Sequence, residues 1–225
     1  MTSEKIRDPI VDHLLTPENC ALAIIDYQPV QVKSVKSMDH EQLTHNVVRV
    51  AETAMTYGLP IVLSTVNVST GANGPTISPL ADVLPGIEAI DRTTMNSWED
   101  VDFRRAVEAT GRRKLVMVAL WTEVCLTFPL LDAMRDGYEA YPVVDAVGGT
   151  SVEAHRAGLA RLFQAGARPV SGAELVCELQ RDWARTTTVA SFKKILFGPR
   201  DTSPPPTPPR SDIKASFRWA GRGTP

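Results

Sequence analysis

Short, continuous apolar runs that alternate with amphipathic stretches constrain this chain more than any other feature of its sequence. Ala21-Leu22-Ala23-Ile24-Ile25, Ile61-Val62-Leu63-Ser64-Thr65 and Leu115-Val116-Met117-Val118-Ala119 lack the polar alternate positions of a half-solvated strand. Each therefore reads as a strand covered on both faces. A weaker strand is expected over residues 87–91, another over 138–144 and a short one at Arg168-Pro169-Val170. Between them, helical periodicity is expected over 39–57, 101–110, 123–135 and 152–164, with two further helices over 174–183 and 189–197. Gly58, Pro60, Gly111 and Gly137 mark the switches from one element to the next. Repeated strand–helix–strand steps require a parallel sheet with right-handed crossovers and helices on both faces. The expected fold is thus α/β, a three-layer α/β/α sandwich in which ligands collect at the carboxyl ends of the strands.

With 225 residues, 43% of them hydrophobic and 22% charged, the chain is long enough for one full-sized core. Lys and Arg total 24 against 26 Asp and Glu, a formal charge of -2, so no electrostatic case exists for nucleic acid or an anionic membrane surface. No apolar run approaches the roughly 20 residues needed to cross a bilayer. The first 20 residues mix acids, bases and Pro without the apolar segment of a secretory signal, and the expected location is cytoplasmic. Three cysteines, Cys20, Cys125 and Cys177, are too few and too odd in number for a disulfide framework; a reducing compartment and at least one free thiol follow. The run Ser203-Pro204-Pro205-Pro206-Thr207-Pro208-Pro209 predicts extended backbone and places the end of a single domain, residues 1–200, just before it. Residues 201–225 are expected to be a disordered tail, or a segment that docks on a partner.

Three chemically competent side chains fall just after strands, where they can converge on one crevice: Asp26, Arg92 and Cys125. Cys125 opens the helix that follows the run at 115–120. A thiol there feels the partial positive charge of unpaired N–H groups, which favours thiolate and a nucleophilic role. The alternative is a small hydrophobe packing the helix on the sheet, which is also the expectation for Cys20 and Cys177. Asp26 is either a base or a loop carboxylate capping a turn. Arg92 is either the charge that holds a thiolate or a surface arginine beside Asp91. Taken together, an acid, a cation and a thiol supply the parts of a cysteine nucleophile. Trp98, Trp121 and Phe128 would make a small apolar pocket suited to a compact acyl group, or else pack in the core. His13, His40, His45 and His155 are scattered without metal-ligand spacing and read as exposed or helix-surface residues. Gly148-Gly149-Thr150 lacks a full phosphate-binding fingerprint. No metal, nucleotide or other cofactor is expected.

Several motifs resemble the isochorismatase-like cysteine hydrolases, a family of Rossmann-like fold that includes nicotinamidases. Ala23-Ile24-Ile25-Asp26-Tyr27-Gln28 is similar to the family's strand-end Asp followed two residues later by Gln. Leu120-Trp121-Thr122-Glu123-Val124-Cys125 is similar to its pattern of two apolar residues, Thr, two variable residues and Cys. Gly137-Tyr138-Glu139 and Val143-Val144-Asp145-Ala146 are family-like, and the segments 92–98 and 177–183 resemble the YcaC-type subgroup. The resemblance implies an Asp–Lys–Cys triad, here Asp26, Arg92 and Cys125, with Arg92 standing where most of the family has Lys. It also implies a cis bond at Leu120-Trp121, an oxyanion hole from the backbone N–H groups of Trp121 and Cys125, a pocket including Gln28, Trp98, Trp121 and Phe128, and a homo-oligomer. Where some nicotinamidases carry a metal-binding Asp and His cluster, this chain has Asn67-Val68-Ser69-Thr70-Gly71-Ala72-Asn73-Gly74. Arg, with a pKa above about 12, holds a thiolate but does not readily pass a proton. The expected function is hydrolysis of a small amide or ester through an acyl-enzyme on Cys125. The alternatives are a small-molecule-binding member of weak or no activity, which Arg92 favours, and an isochorismatase-type vinyl-ether hydrolase, which Cys125 disfavours.

Overall fold

The computed structural model describes residues 7–198, and the tail expected over 201–225 lies outside them. Its sheet has five parallel strands, β1 (Cys20–Ile25), β2 (Ile61–Val66), β3 (Ala89–Arg92), β4 (Lys114–Ala119) and β5 (Glu139–Pro142), in the order β3-β2-β1-β4-β5. The helices are α1 (Pro29–Ser34), α2 (His40–Tyr57), α3 (Ser78–Ala81), α4 (Val101–Ala109), α5 (Thr127–Arg135), α6 (Val152–Gln164), α7 (Gly172–Gln180) and α8 (Val189–Phe197).

Every residue of β1 and β4 is buried, as their unbroken apolar runs require. Ile24 sits beside Leu63 of β2 on one side and Val118 of β4 on the other. Leu22, Ile24 and Ile25 have no exposed surface, and each such side chain contributes about 1.5–3 kcal/mol by leaving water. The helix α2 starts where the Asp39 carboxylate accepts from the N–H groups of Glu41 and Gln42, and it stops where Gly58 adopts φ 66°. It packs with α7 and α8, whereas α5 packs with α6 and with the short turn that leads into α4. Right-handed crossovers put these two sets on opposite faces of the sheet, which completes the α/β/α sandwich. The chain leaves β1 toward β2 and later returns to β4 on the other side, so the order reverses around β1. A crevice opens at such a reversal, beyond the strands' carboxyl ends.

Several elements differ from expectation. The strand expected at 168–170 reduces to a single bridge between Val143 and Val170: the N–H groups of Arg168 and Val170 donate to the Ala140 and Pro142 carbonyls, but Pro142 has no N–H to return a bond to Arg168. The helix expected over 123–135 begins as a π-helical turn, Thr122–Leu126, before α5 takes over. The short helices α1 and α3 were not legible as periodic stretches; each has Pro in its first turn, where a missing N–H costs nothing.

Candidate active site

Asp26 is the first residue beyond β1. Its φ of 62° is left-handed, a conformation that Asp and Asn tolerate better than most residues, and its N–H donates to the Ser64 carbonyl at 3.0 Å. Both carboxylate oxygens are held by Arg92, the last residue of β3: Nη1 donates to Oδ1 at 2.8 Å and Nη2 to Oδ2 at 2.8 Å. Arg92 Nη1 also donates to the Thr65 carbonyl at 3.1 Å, and neither side chain of the pair is exposed. Arg92 is therefore not the surface arginine that the sequence also allowed. Burial works against its charge, but the hydrogen bonds and charge of Asp26 outweigh that cost and hold its pKa above the ordinary arginine value. The Arg92 Nε is buried with no hydrogen-bond partner.

Cys125 lies in the π turn between β4 and α5 and is only 8% exposed. Burial runs against the thiolate expected at a helix start. Burial pushes the thiol pKa well above its ordinary value, and the charge of Asp26 and a hydrogen bond to it push the same way. Arg92 and the backbone N–H of Trp121 pull it down without offsetting them. Burial and the Asp26 carboxylate thus favour the neutral thiol over the thiolate.

The peptide bond Leu120-Trp121 is cis, and the N–H of Trp121 faces the sulfur of Cys125. The half-buried indole of Trp121 donates to Ser34 Oγ at 2.7 Å and so ties the site to α1. Phe128 is half-buried in the first turn of α5. Trp98 sits elsewhere in the packing, edge-on to Phe103 and Tyr138, with its indole N–H bonded to Asp136 at 2.8 Å; the core alternative accounts for these contacts. The Gln28 amide is bound to backbone: Nε2 donates to the carbonyls of Val66 at 3.1 Å and Gly74 at 2.6 Å, and Oε1 accepts from the Val66 N–H at 2.8 Å. It braces the loop after β2.

Two further groups at this edge were missed in the sequence. Asp91 accepts from the N–H groups of Val68 and Ser69 and from the Thr65 hydroxyl; burial opposes its charge, yet these donors hold its pKa at about 2. It fixes the first turn of the same loop. His155, read as a surface histidine, is half-buried on α6, and its Nδ1 is 2.9 Å from the Thr122 hydroxyl in the turn that carries Cys125. Burial lowers its pKa. Strand alternation gave a signal for Asp91, since consecutive residues face opposite sides of a sheet, whereas nothing local marked His155. The expected packing role of Cys20 agrees with its position: it is fully buried, and its thiol donates to the Thr16 carbonyl. Among the described residues, no three His, Cys, Asp or Glu side chains come together as a metal-binding group. Among them, too, no helix is long and apolar enough to cross a membrane.

Three layers, a strand order reversing at β1 and a polar cluster at that reversal define the class, a Rossmann-like α/β/α enzyme fold. The chain belongs to the isochorismatase family, whose domain model matches residues 20–174, and it is a hydrolase of that family. It is 33% identical over 170 residues to "Probable hydrolase YcaC" of Escherichia coli (strain K12), a match covering 75% of this chain and 81% of that protein. Among solved structures it resembles YcaC from Pseudomonas aeruginosa with hexane-2,5-diol and covalent acrylamide, at 32% identity and a TM-score of 0.78, over 83% of this chain and 91% of that one. It also resembles the YcaC gene product of Escherichia coli, described as an octameric hydrolase of unknown specificity. That match has 30% identity and a TM-score of 0.77, over 83% of this chain and 92% of the other.

Proposed function

We propose that this hydrolase cleaves a small amide or ester through an acyl-enzyme on Cys125. The observation that carries the reading is a buried thiol, Cys125, facing the carboxylate of Asp26 that Arg92 clasps through both oxygens. In this reading Asp26 takes the thiol proton as the sulfur attacks the carbonyl carbon. The C–N or C–O bond then breaks, and the proton on Asp26 passes to the leaving group. Water attacks the thioester and gives its proton to Asp26, the C–S bond breaks, and that proton returns to sulfur. Arg92 keeps its own proton throughout; its fixed charge offsets the negative charge shared by Asp26 and Cys125. The backbone N–H of Trp121, which faces the sulfur, is suited to the developing oxyanion. The Pseudomonas aeruginosa relative, which carries covalent acrylamide, supports a reactive residue accessible to a small amide. The octameric Escherichia coli relative supports a homo-oligomer here, and light scattering of the purified chain should give a mass several times that of one chain.

The test is intact-protein mass spectrometry during turnover of a panel of small amides and esters. The expected result is hydrolysis with a transient acyl adduct that maps to Cys125, and Cys125→Ser losing both. Turnover that survives Cys125→Ser overturns the nucleophile, and substrate binding without any turnover would make the chain a binding member of the family.

A further inference from the structure

The turn that carries Cys125 is also gripped by the loop at residues 148–150 and by α6. Glu123, two residues before the thiol, accepts two hydrogen bonds through Oε1 from Thr150, from its N–H at 2.9 Å and its hydroxyl at 2.6 Å. The other oxygen, Oε2, is buried with no hydrogen-bond partner. It is lodged over Gly149, where a Cβ would come within 2.6 Å of it. A Cβ on Gly158 of α6 would lie 2.9 Å from the Glu123 Cα, so α6 touches the backbone of the turn itself. Thr122 adds two ties, from its N–H to the Gly148 carbonyl at 2.9 Å and from its hydroxyl to His155 Nδ1. The gripping loop is anchored in turn, because Gly149 exchanges bonds with the Lys36 N–H and the Ser37 hydroxyl.

A buried carboxylate oxygen with no partner weakens the fold, so what Glu123 contributes is the position its bonded oxygen enforces. We propose that Glu123 is a positioning residue for Cys125: its clamp on Thr150 holds the π turn so that the sulfur stays buried between the Asp26 carboxylate and the Trp121 N–H. The inference rests on Cys125 being the nucleophile for its catalytic meaning, but the position of the sulfur is measurable without a substrate.

The test is the rate of Cys125 alkylation by acrylamide against pH in the full chain, with the modified residue located by peptide mapping, for Glu123→Ala, Glu123→Gln and Thr150→Val. Burial is the largest cause of the raised thiol pKa, so loosening the turn should lower it. Glu123→Ala should alkylate at least about threefold faster near neutral pH, with its midpoint moved down toward the ordinary thiol value of about 8.5. Glu123→Gln keeps an oxygen for both Thr150 donors and should return to within about twofold of the native rate. Thr150→Val should move in the same direction as Glu123→Ala by a smaller factor. On any substrate turned over, kcat should fall in Glu123→Ala while KM changes little. A Glu123→Ala profile that superimposes on the native one, or a Glu123→Gln profile equal to that of Glu123→Ala, overturns the proposal. If Glu123→Ala does not fold, Thr150→Val decides, and an unchanged profile there overturns it. Absence of turnover by the native chain would sink the hydrolase reading and leave the alkylation arm still able to decide the role of Glu123.

Discussion

Asp26→Asn should cut the turnover of small amides and esters by about a hundred- to ten-thousand-fold while making Cys125 alkylate faster near neutral pH. The two readouts move apart because Asp26 does opposite things to them. As the base it accepts the thiol proton during attack. As a fixed negative charge and hydrogen-bond acceptor it keeps that proton on sulfur at rest. Asn is nearly isosteric, tolerates the left-handed backbone at this position and still offers Arg92 one oxygen, so the fold should persist with a lowered melting temperature. With the carboxylate gone, the charge of Arg92 acts on the sulfur alone, and the thiol pKa falls. Turnover that survives Asp26→Asn within about tenfold would remove Asp26 from the role of base and leave it as a structural partner of Arg92.

Arg92→Met should be the most destabilising single change at the site. It leaves a fully buried carboxylate without its cation, and breaking a buried pair in this way costs about 3–5 kcal/mol. The same change withdraws the one positive side chain acting on Cys125, so the thiol pKa should climb further and alkylation near neutral pH should slow. Each unit of that climb corresponds to about 1.36 kcal/mol. Arg92→Lys keeps a charge but cannot bond both oxygens of Asp26 and the Thr65 carbonyl in one plane. It should retain most of the activity and melt between the native chain and Arg92→Met. Thermal melts combined with pH profiles of acrylamide labelling check both. A labelling profile in Arg92→Met that matches the native one would separate Arg92 from the thiol and leave Asp26 and Cys125 as a dyad.

The central strands were legible because burial on both faces removes alternation: β1 and β4 stand out as apolar runs, and β2 opens on one, Ile61-Val62-Leu63. The edge strand β3 was placed two residues early, since Ala89 is exposed there and apolar content says little about an edge. Asp26, Arg92 and Cys125 could be singled out from their positions after strands, and their meeting follows from the order of the sheet. The protonation of Cys125 could not be read in the same way. The helix-start argument weighs a local dipole, whereas burial and the Asp26 carboxylate, nearly 100 positions away in the chain, act only once the chain has folded. A π turn leaves no periodic trace over five residues, so the segment 122–126 reads as the start of an ordinary helix. Gln28 and Glu123 were visible as letters of two motifs. Their partners, the Val66 and Gly74 backbone for one and Thr150 for the other, come from loops whose sequence shows no pairing.

A thiol that rests protonated against a carboxylate also bears on how the protein meets oxidants. Peroxides attack thiolates, and sulfenic acid forms fastest on sulfur that is both ionised and open to solvent. Burial and the Asp26 carboxylate disfavour the anion on Cys125, and the residue is buried. In the proposed cycle charge builds on its sulfur only as a carbonyl carbon closes on it, so the anion is consumed where it is made. Cys177, exposed on α7, is open to peroxide in solution, and oxidation there would leave Cys125 intact.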